Sequence, residues 1–338
     1  MLKKSTLLAC ILTFILLITG CTMFEKSPPK KIGISFGAGP AKRWSQEKAF
    51  MEKRAKELGL EVTTKFNTSD QPISQKQECK ELIDSGIGVL ILMPRNGADF
   101  SEIAKYAKEK NVKLITYARP LINQSCDLFV GYDTNRIGQA AGMYVTELVR
   151  QGNFIVLHGD KNDYNSAALY QGAMTHIQPA VAEGAKIILD EVVPAWSPDA
   201  AKKSLRTALQ NNNNQVAAII AANDIIAGAC IEVLKEQNIQ SKVIVTGMDA
   251  ELPAIKRIAQ GEQELTFYMN LQELSGITID QAHNMLTGKK VLSNSEFTDS
   301  QGYKTPSYLI GARLITKDNL QRTLIDTGIF TKEQVYGK

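Results

Sequence analysis

Apolar runs that end in polar residues recur along the chain, and residues 215–234 give the clearest example. They read QVAAIIAANDIIAGACIEVL, so that a short apolar run stops at Asn223 and Asp224 and a helix-period segment follows. This pattern predicts a buried strand, a tight turn and a covering helix. The polar pair would then lie at the carboxyl end of a parallel strand, where helix N-termini offer free N–H groups to small ligands.

The same unit repeats over most of the chain. Strands are predicted at 31–36, 61–66, 89–93, 113–117, 128–131, 154–158, 186–193, from Val216 onward and at 243–247. Helices are predicted around Phe50, Ala55 and Leu58, at 73–85, 100–110, 136–149, 167–182 and 198–210, and after Gly228. The alternation implies right-handed βαβ units in two parallel sheets, and 338 residues suit two domains.

The last quarter of the sequence is less regular. A helix is predicted at 271–286, a polar irregular stretch at 291–305, a short strand at 307–311 and a final helix at 317–326. These segments are too few for a third domain, so we expect them to complete the first two.

The N-terminus has the pattern of an export signal. Lys3 and Lys4 precede an apolar run of about a dozen residues, which is short for a membrane span. The run ends in LITGC, which resembles the lipobox of bacterial lipoproteins, where Cys21 becomes the lipidated first residue. Residues 1–20 would be the signal and 21–30 a tether. An uncleaved membrane anchor is the alternative, and both interpretations place the rest of the chain outside the cytoplasm.

Charge and cysteine content exclude two classes of protein. Without Lys3 and Lys4 the formal charge falls from +4 to +2, which is too small a positive charge to indicate a nucleic-acid-binding protein. Outside the predicted signal and Cys21, only Cys79, Cys126 and Cys230 remain. Three scattered cysteines argue against a disulfide framework, so we expect free thiols, with Cys79 and Cys230 buried on helices.

Several motifs at separate strand ends together resemble the type I periplasmic sugar-binding proteins, within them the xylose-binding group. The motifs are KRW at 42–44, TYARP with Arg119, NDYNSA with Asn165, PAWSPDAA with Trp196, AANDIIAGA with Asn223 and Asp224, and TGMDAELPAIKRI with Asp249. The resemblance covers nearly all of the predicted mature chain. It implies an α/β fold of two Rossmann-like domains joined by three crossovers, the periplasmic binding protein type I architecture, with a sugar held between lobes that close on it.

The resemblance also implies domain boundaries. The first lobe would comprise 31–133 plus 270–293, and the second 134–269 plus 306–338. The chain would cross between them near Asp133, near Met269 and Asn270, and between about 293 and 306.

The candidate ligand-binding residues suit the surface of a pyranose. Aromatic rings pack on its C–H faces, whereas Asp, Asn and Arg bind its hydroxyls through bidentate or charge-assisted hydrogen bonds. Trp44 and Trp196 are predicted in loops at strand ends, one in each lobe. The full set is Arg43, Trp44, Arg119, Asn165, Trp196, Asn223, Asp224 and Asp249. Each has a structural alternative, since a loop Trp can be a packing residue and Asp224 or Asp249 can cap a helix.

Two positions depart from the family pattern. Ala118 stands where the family typically has an Asp, and Met269 where it has a Lys. Each loss of a hydrogen-bonding partner costs about 1–3 kcal/mol at a buried polar ligand, so we expect either weaker binding of the sugar or a different ligand.

Other classes of function find less support in the sequence. Asp224 and Asp249 could be paired glycosidase carboxylates, but no second feature favours hydrolysis. His158, His176 and His283 lack metal-ligand spacing, no nucleotide or nucleophile motif occurs, and we expect neither a cofactor nor a metal. A transcription regulator would need a DNA-binding headpiece before the first strand. Delivery of sugar to an ABC permease and presentation to a sensor histidine kinase ectodomain both remain open.

Overall fold

The sequence pattern folds into two α/β lobes. The computed structural model describes residues 31–38, 42–69, 71–95, 98–239 and 241–337. The predictions for the signal, Cys21 and the tether lie outside these residues. No helix within the described ranges is long and apolar enough to cross a bilayer.

The strands, in chain order, are β1 (Lys31–Phe36), β2 (Glu61–Phe66), β3 (Val89–Met93), β4 (Lys113–Tyr117), β5 (Leu128–Tyr132), β6 (Asn153–His158), β7 (Lys186–Val192), β8 (Ala218–Ala221), β9 (Ile244–Val245), β10 (Leu265–Tyr268), β11 (Ser295–Thr298), β12 (Lys304–Ile310) and β13 (Arg313–Thr316). The helices are α1 (Lys42–Glu57), α2 (Pro72–Asp84), α3 (Ser101–Glu109), α4 (Thr134–Leu148), α5 (Tyr164–Ala182), α6 (Pro198–Asn211), α7 (Asp224–Glu236), α8 (Leu252–Gln260), α9 (Leu271–Leu286), α10 (Lys317–Leu320, continued by a π turn at Gln321–Ile325) and α11 (Lys332–Tyr336).

Lobe 1 is built on a seven-stranded sheet in the order β11-β12-β5-β4-β3-β1-β2. The strands are parallel except for β11, which pairs antiparallel with β12. Every residue of β3 is buried, as expected for a strand covered by helices on both faces. Helices α1, α2, α3 and α9 pack on this sheet.

Lobe 2 is built on a four-stranded parallel sheet in the order β7-β6-β8-β9, accompanied by an antiparallel pair of β10 and β13. Its helices α4 and α5 pack unusually closely. A Cβ built at Gly138 would lie 2.0 Å from the carbonyl oxygen of Leu169, and one at Gly172 would lie 2.0 Å from that of Asn135. Only glycine permits this approach, which fixes the N-terminus of α5 at the cleft.

The chain crosses between the lobes at three places, of which one differs from the sequence-based expectation. The crossings after Tyr132 and at Met269–Asn270 agree with it, because β5 and α9 pack in lobe 1 whereas α4 and β10 pack in lobe 2. The third was expected between about 293 and 306. It follows Ile310 instead, because β12 pairs with β5 and β13 pairs with β10.

Residues 306–310 therefore belong to lobe 1 and not to lobe 2, and the stretch expected to be irregular contains β11. Its sequence, SEFT, is short and mostly exposed, so that it carries no apolar signal. Helix α8 and strand β13 were also absent from the sequence-based prediction. Cys79, Cys126 and Cys230 are free, and Cys79 and Cys230 are buried on α2 and α7, which confirms that expectation.

Candidate functional site

A cavity of about 160 Å³ lies between the lobes, at the carboxyl ends of both sheets. It is lined by Arg43, Trp44, Ala118, Arg119, Tyr132, Thr134, Asp163, Asn165, Trp196, Asn223, Met248, Asp249 and Met269. Seven of the eight predicted site residues are in this set, and Asp224 is the exception. Side chains separated by two hundred positions in the sequence thus converge on one hollow.

On the lobe 1 side, the first turn of α1 supplies a cation and an aromatic ring. The guanidinium carbon of Arg43 lies 4.7 Å from the ring centroid of Trp44, within the range of a cation–π contact. Arg43 Nε also lies 3.3 Å from the carboxylate of Glu47, which is completely buried one turn further along the helix. Trp44 is therefore helical, not in the loop that the sequence analysis assigned to it.

The turn after β4 supplies Arg119. Ala118 has φ 60°, a left-handed conformation that a non-glycine residue rarely adopts and that turns its carbonyl oxygen toward lobe 2. That oxygen accepts a hydrogen bond from Asn165 Nδ2 at 3.1 Å. Arg119 Nη2 forms an ion pair with Asp163 at 3.2 Å. Both contacts join lobe 1 to the N-terminus of α5 in lobe 2.

Asp163 is a site residue that the sequence analysis missed. Its Oδ1 accepts a hydrogen bond from the backbone N–H of Asn165 and so caps α5, while its Oδ2 faces Arg119. The signal that could have found it is an Asp just before a predicted helix, although the same position is typical of a helix N-cap. Tyr132 and Thr134 were also missed, because they lie inside regular elements and carry no motif. Met248 was missed although it lies beside Asp249 in the motif TGMDAELPAIKRI.

Asn223 and Asp249 complete the lobe 2 wall. Asn223 Oδ1 caps α7 by accepting from the N–H of Ile226 at 2.9 Å. Asp249 follows β9 with φ 97°, and its carboxylate lies 3.9 Å from Arg43 Nη1 across the cleft. Such backbone conformations are costly and tend to cluster at functional sites.

The expectation that Asp224 binds ligand is corrected by its position. It is 1% exposed and its carboxylate accepts hydrogen bonds from Thr266 Oγ1, Gln263 Nε2 and the backbone N–H of Glu251, at 2.8–2.9 Å. Burial, with a further contribution from the carboxylate of Asp249, raises the pKa of Asp224 to about 8. Its role is to hold the loop that carries Asp249 against β10.

The charges that line the cavity alternate across the cleft. Lobe 1 contributes Arg43 and Arg119, and lobe 2 contributes Asp163 and Asp249, in two facing pairs. Burial raises the pKa of Asp249, with Asp163 adding to the effect and Arg43 opposing it. Since the two cations and two anions balance, the cavity suits a neutral ligand with many hydroxyl groups. No cluster of three or more His, Cys, Asp or Glu side chains in the described ranges could hold a metal ion.

A model of the periplasmic binding protein domain matches residues 32–290 of the chain. The chain belongs to this family. This chain is 29% identical to the D-xylose-binding periplasmic protein of Haemophilus influenzae, and the match covers 97% of this chain and 98% of the relative. It is 30% identical to the D-xylose-binding periplasmic protein of Escherichia coli over 90% of this chain and 91% of the relative.

A solved structure confirms the type I fold. An ABC transporter solute binding protein from Clostridium phytofermentans with bound β-D-glucose superposes with a TM-score of 0.80 at 22% identity, covering 90% of this chain and 99% of that one. The expected fold class of two lobes with parallel sheets is therefore correct.

Proposed function

We propose that this periplasmic binding protein binds a neutral monosaccharide, D-xylose or a similar pyranose, in the cleft between its lobes and delivers it to an ABC permease. The observation that carries the proposal is the shared cavity of Trp44 and Trp196, one from each lobe, with Arg and Asp pairs around it. Two flat rings suit the faces of a pyranose, and the charged groups suit its hydroxyls. The relatives named for D-xylose and the solved structure with glucose support the same class of ligand.

Calorimetric titration of the protein lacking residues 1–20 tests the ligand class. The panel contains D-xylose and other pentoses, and it pairs D-glucose with two charged counterparts, the anion D-glucuronate and the cation D-glucosamine. We expect at least one neutral pyranose to bind, and the charged counterparts to bind more weakly, because an extra charge would have no opposite partner in the balanced cavity. Binding of none of the neutral sugars would contradict the proposal.

Trp196→Ala tests the stacking role within this proposal. Loss of the apolar contact of one indole, worth about 1.5–3 kcal/mol when fully buried, is expected to lower sugar affinity by about 10-fold or more. The matched control is Tyr336→Ala, which removes an exposed aromatic ring on α11. Equal affinities of wild type and Trp196→Ala would remove Trp196 from the site.

The partner is tested by affinity capture with the liganded protein. Recovery of permease subunits with sugar, and not without it, is the expected result, because closure changes the surface that both lobes present. Recovery of a histidine kinase ectodomain in their place would assign a sensing role and contradict delivery.

A further inference from the structure

The indole of Trp196 lies directly against the backbone of Gly159, the residue that follows β6. A Cβ built at Gly159 would lie 2.1 Å from Cη2 and 2.3 Å from Cζ2 of Trp196. No real Cβ tolerates such an overlap, so the indole occupies the space that any side chain at position 159 would need. Gly159 is buried and is not among the residues that line the cavity, whereas Trp196 lines it.

Space, and not backbone conformation, is the reason for glycine at this position. Gly159 is absent from the glycines with positive φ. An alanine could therefore adopt the same backbone without strain. The clash would fall on the far end of a side chain that can rotate about its χ angles, so that the indole would move while the surrounding fold stays intact.

The neighbouring Asp160 holds the turn that carries Trp196. Ala195 and Trp196 have φ of 52° and 56°, so both are in the left-handed region, which is unfavourable for residues with a Cβ. The backbone N–H of Ala195 donates to Asp160 Oδ2 at 2.7 Å, and the N–H of Val193 donates to the carbonyl of His158 at 3.3 Å. The same short segment after β6 thus contacts both the ring and the turn.

We infer that Gly159 and Asp160 are positioning residues for the ligand: Gly159 sets where the indole of Trp196 stands in the cavity, and Asp160 fixes the turn beneath it. Neither needs to touch the sugar. The position of the indole limits how thick a ligand can stack on it. The specificity of the site for ligand thickness then depends on Gly159 and Asp160, which lie behind the ring. The affinity consequence rests on the proposed sugar-binding function, whereas the packing of Trp196 on Gly159 does not.

Gly159→Ala should lower sugar affinity by about 10-fold, similar to removal of the indole, because the displaced ring no longer stacks on the sugar. The double variant Gly159→Ala/Trp196→Ala should bind no more weakly than Trp196→Ala alone, since Gly159 acts only through that ring. Additive losses, or an unchanged affinity in Gly159→Ala, would overturn the inference. The control is Gly276→Ala on α9, where a new Cβ meets no atom within 4 Å among the described residues.

A readout without ligand separates this inference from the proposed function. The chain has two tryptophans, so Trp196 alone reports fluorescence in a Trp44→Phe background. In that background Gly159→Ala should shift the emission of Trp196 and change its quenching by acrylamide, and Asp160→Ala should do so more weakly, with thermal unfolding of each close to that of the background. If the Trp44→Phe background and its Gly159→Ala and Asp160→Ala variants had identical emission and quenching, the packing of Trp196 on Gly159 would be refuted, even if the protein binds sugar. If emission shifts but no sugar binds to the wild type, it is the proposed function that fails.

Discussion

Asp224→Ala is expected to lower the free energy of unfolding by about 3–5 kcal/mol. The carboxylate accepts three hydrogen bonds, from the buried side chains of Thr266 and Gln263 and from the N–H of Glu251. Each buried donor left without a partner costs about 1–3 kcal/mol. Alanine removes the acceptor of all three hydrogen bonds, while Gln263 Nε2 keeps its second acceptor, the carbonyl oxygen of Leu265 at 3.0 Å. Denaturant unfolding of the ligand-free protein at pH 6 measures the loss.

Asp280→Ala is the matched control. Asp280 forms a partly exposed ion pair with Arg54 at 2.7 Å, and solvent-accessible pairs of this kind contribute about 1 kcal/mol or less. If the two variants were equally stable, the hydrogen-bond network around Asp224 would not hold the loop that follows β9.

The pH dependence of stability follows from the same carboxyl group. Burial raises the pKa of Asp224 to about 8, above its ordinary value of about 3.9, so the folded protein binds this proton more tightly than the unfolded chain does. The Asp224 carboxyl group therefore contributes most to the free energy of unfolding below a pH of about 4, and this contribution is lost as the pH rises to about 8. We expect a smaller loss of stability over this range in Asp224→Asn, which has no proton to release.

The apolar runs made most of the fold predictable. Strands such as β3 were found because burial on both faces gives a continuous apolar run, and helices such as α9 because burial of one face imposes a period on the apolar residues. Strand β11 was missed because an edge strand with polar, exposed residues has no such period. The third crossing was misplaced for a different reason. A strand was predicted at 307–311, but nothing in the sequence shows that it pairs with β5 in lobe 1.

Convergence of the site was predictable, but its fine geometry was not. Strand ends indicated where Trp44, Trp196 and Asn223 would meet. Asn223 and Asp224 are adjacent, and which of them faces the cavity depends on the turn and on distant partners such as Thr266, which sequence spacing does not reveal. The left-handed backbones of Ala118 and Asp249 were equally hidden, because Ala rarely adopts positive φ and most Asp residues have negative φ even though Asp is enriched among the exceptions.

Asp249→Asn should change affinity and stability in opposite directions. Asparagine keeps the shape of the side chain but removes the charge that strengthens hydrogen bonds from sugar hydroxyls. Such bonds to a charged group are worth about 1.5–3 kcal/mol, so sugar affinity should fall by about 10- to 150-fold. Calorimetry with the best sugar from the panel measures this loss.

The stability of the ligand-free protein should rise in the same variant. Burial and the carboxylate of Asp163 raise the pKa of Asp249, so the folded state disfavours its charge despite Arg43 at 3.9 Å. At low pH both the wild type and Asp249→Asn are uncharged at this position and should be similarly stable. As the pH rises through the pKa of Asp249 the wild type alone acquires the charge that the folded state disfavours, so the variant should become the more stable one.

The affinity of the wild type should fall as the pH is lowered through the same pKa, because a protonated Asp249 loses the charge that the sugar hydroxyls bind. Asp249→Asn should show a flatter profile, and Asp280→Asn, which changes a partly exposed ion pair outside the cleft, should follow the wild type in both measurements. A variant that is less stable but binds sugar normally would make Asp249 a structural residue. A variant that binds sugar more weakly but is more stable would instead show that the charge of Asp249 destabilises the fold and is retained because the ligand needs it.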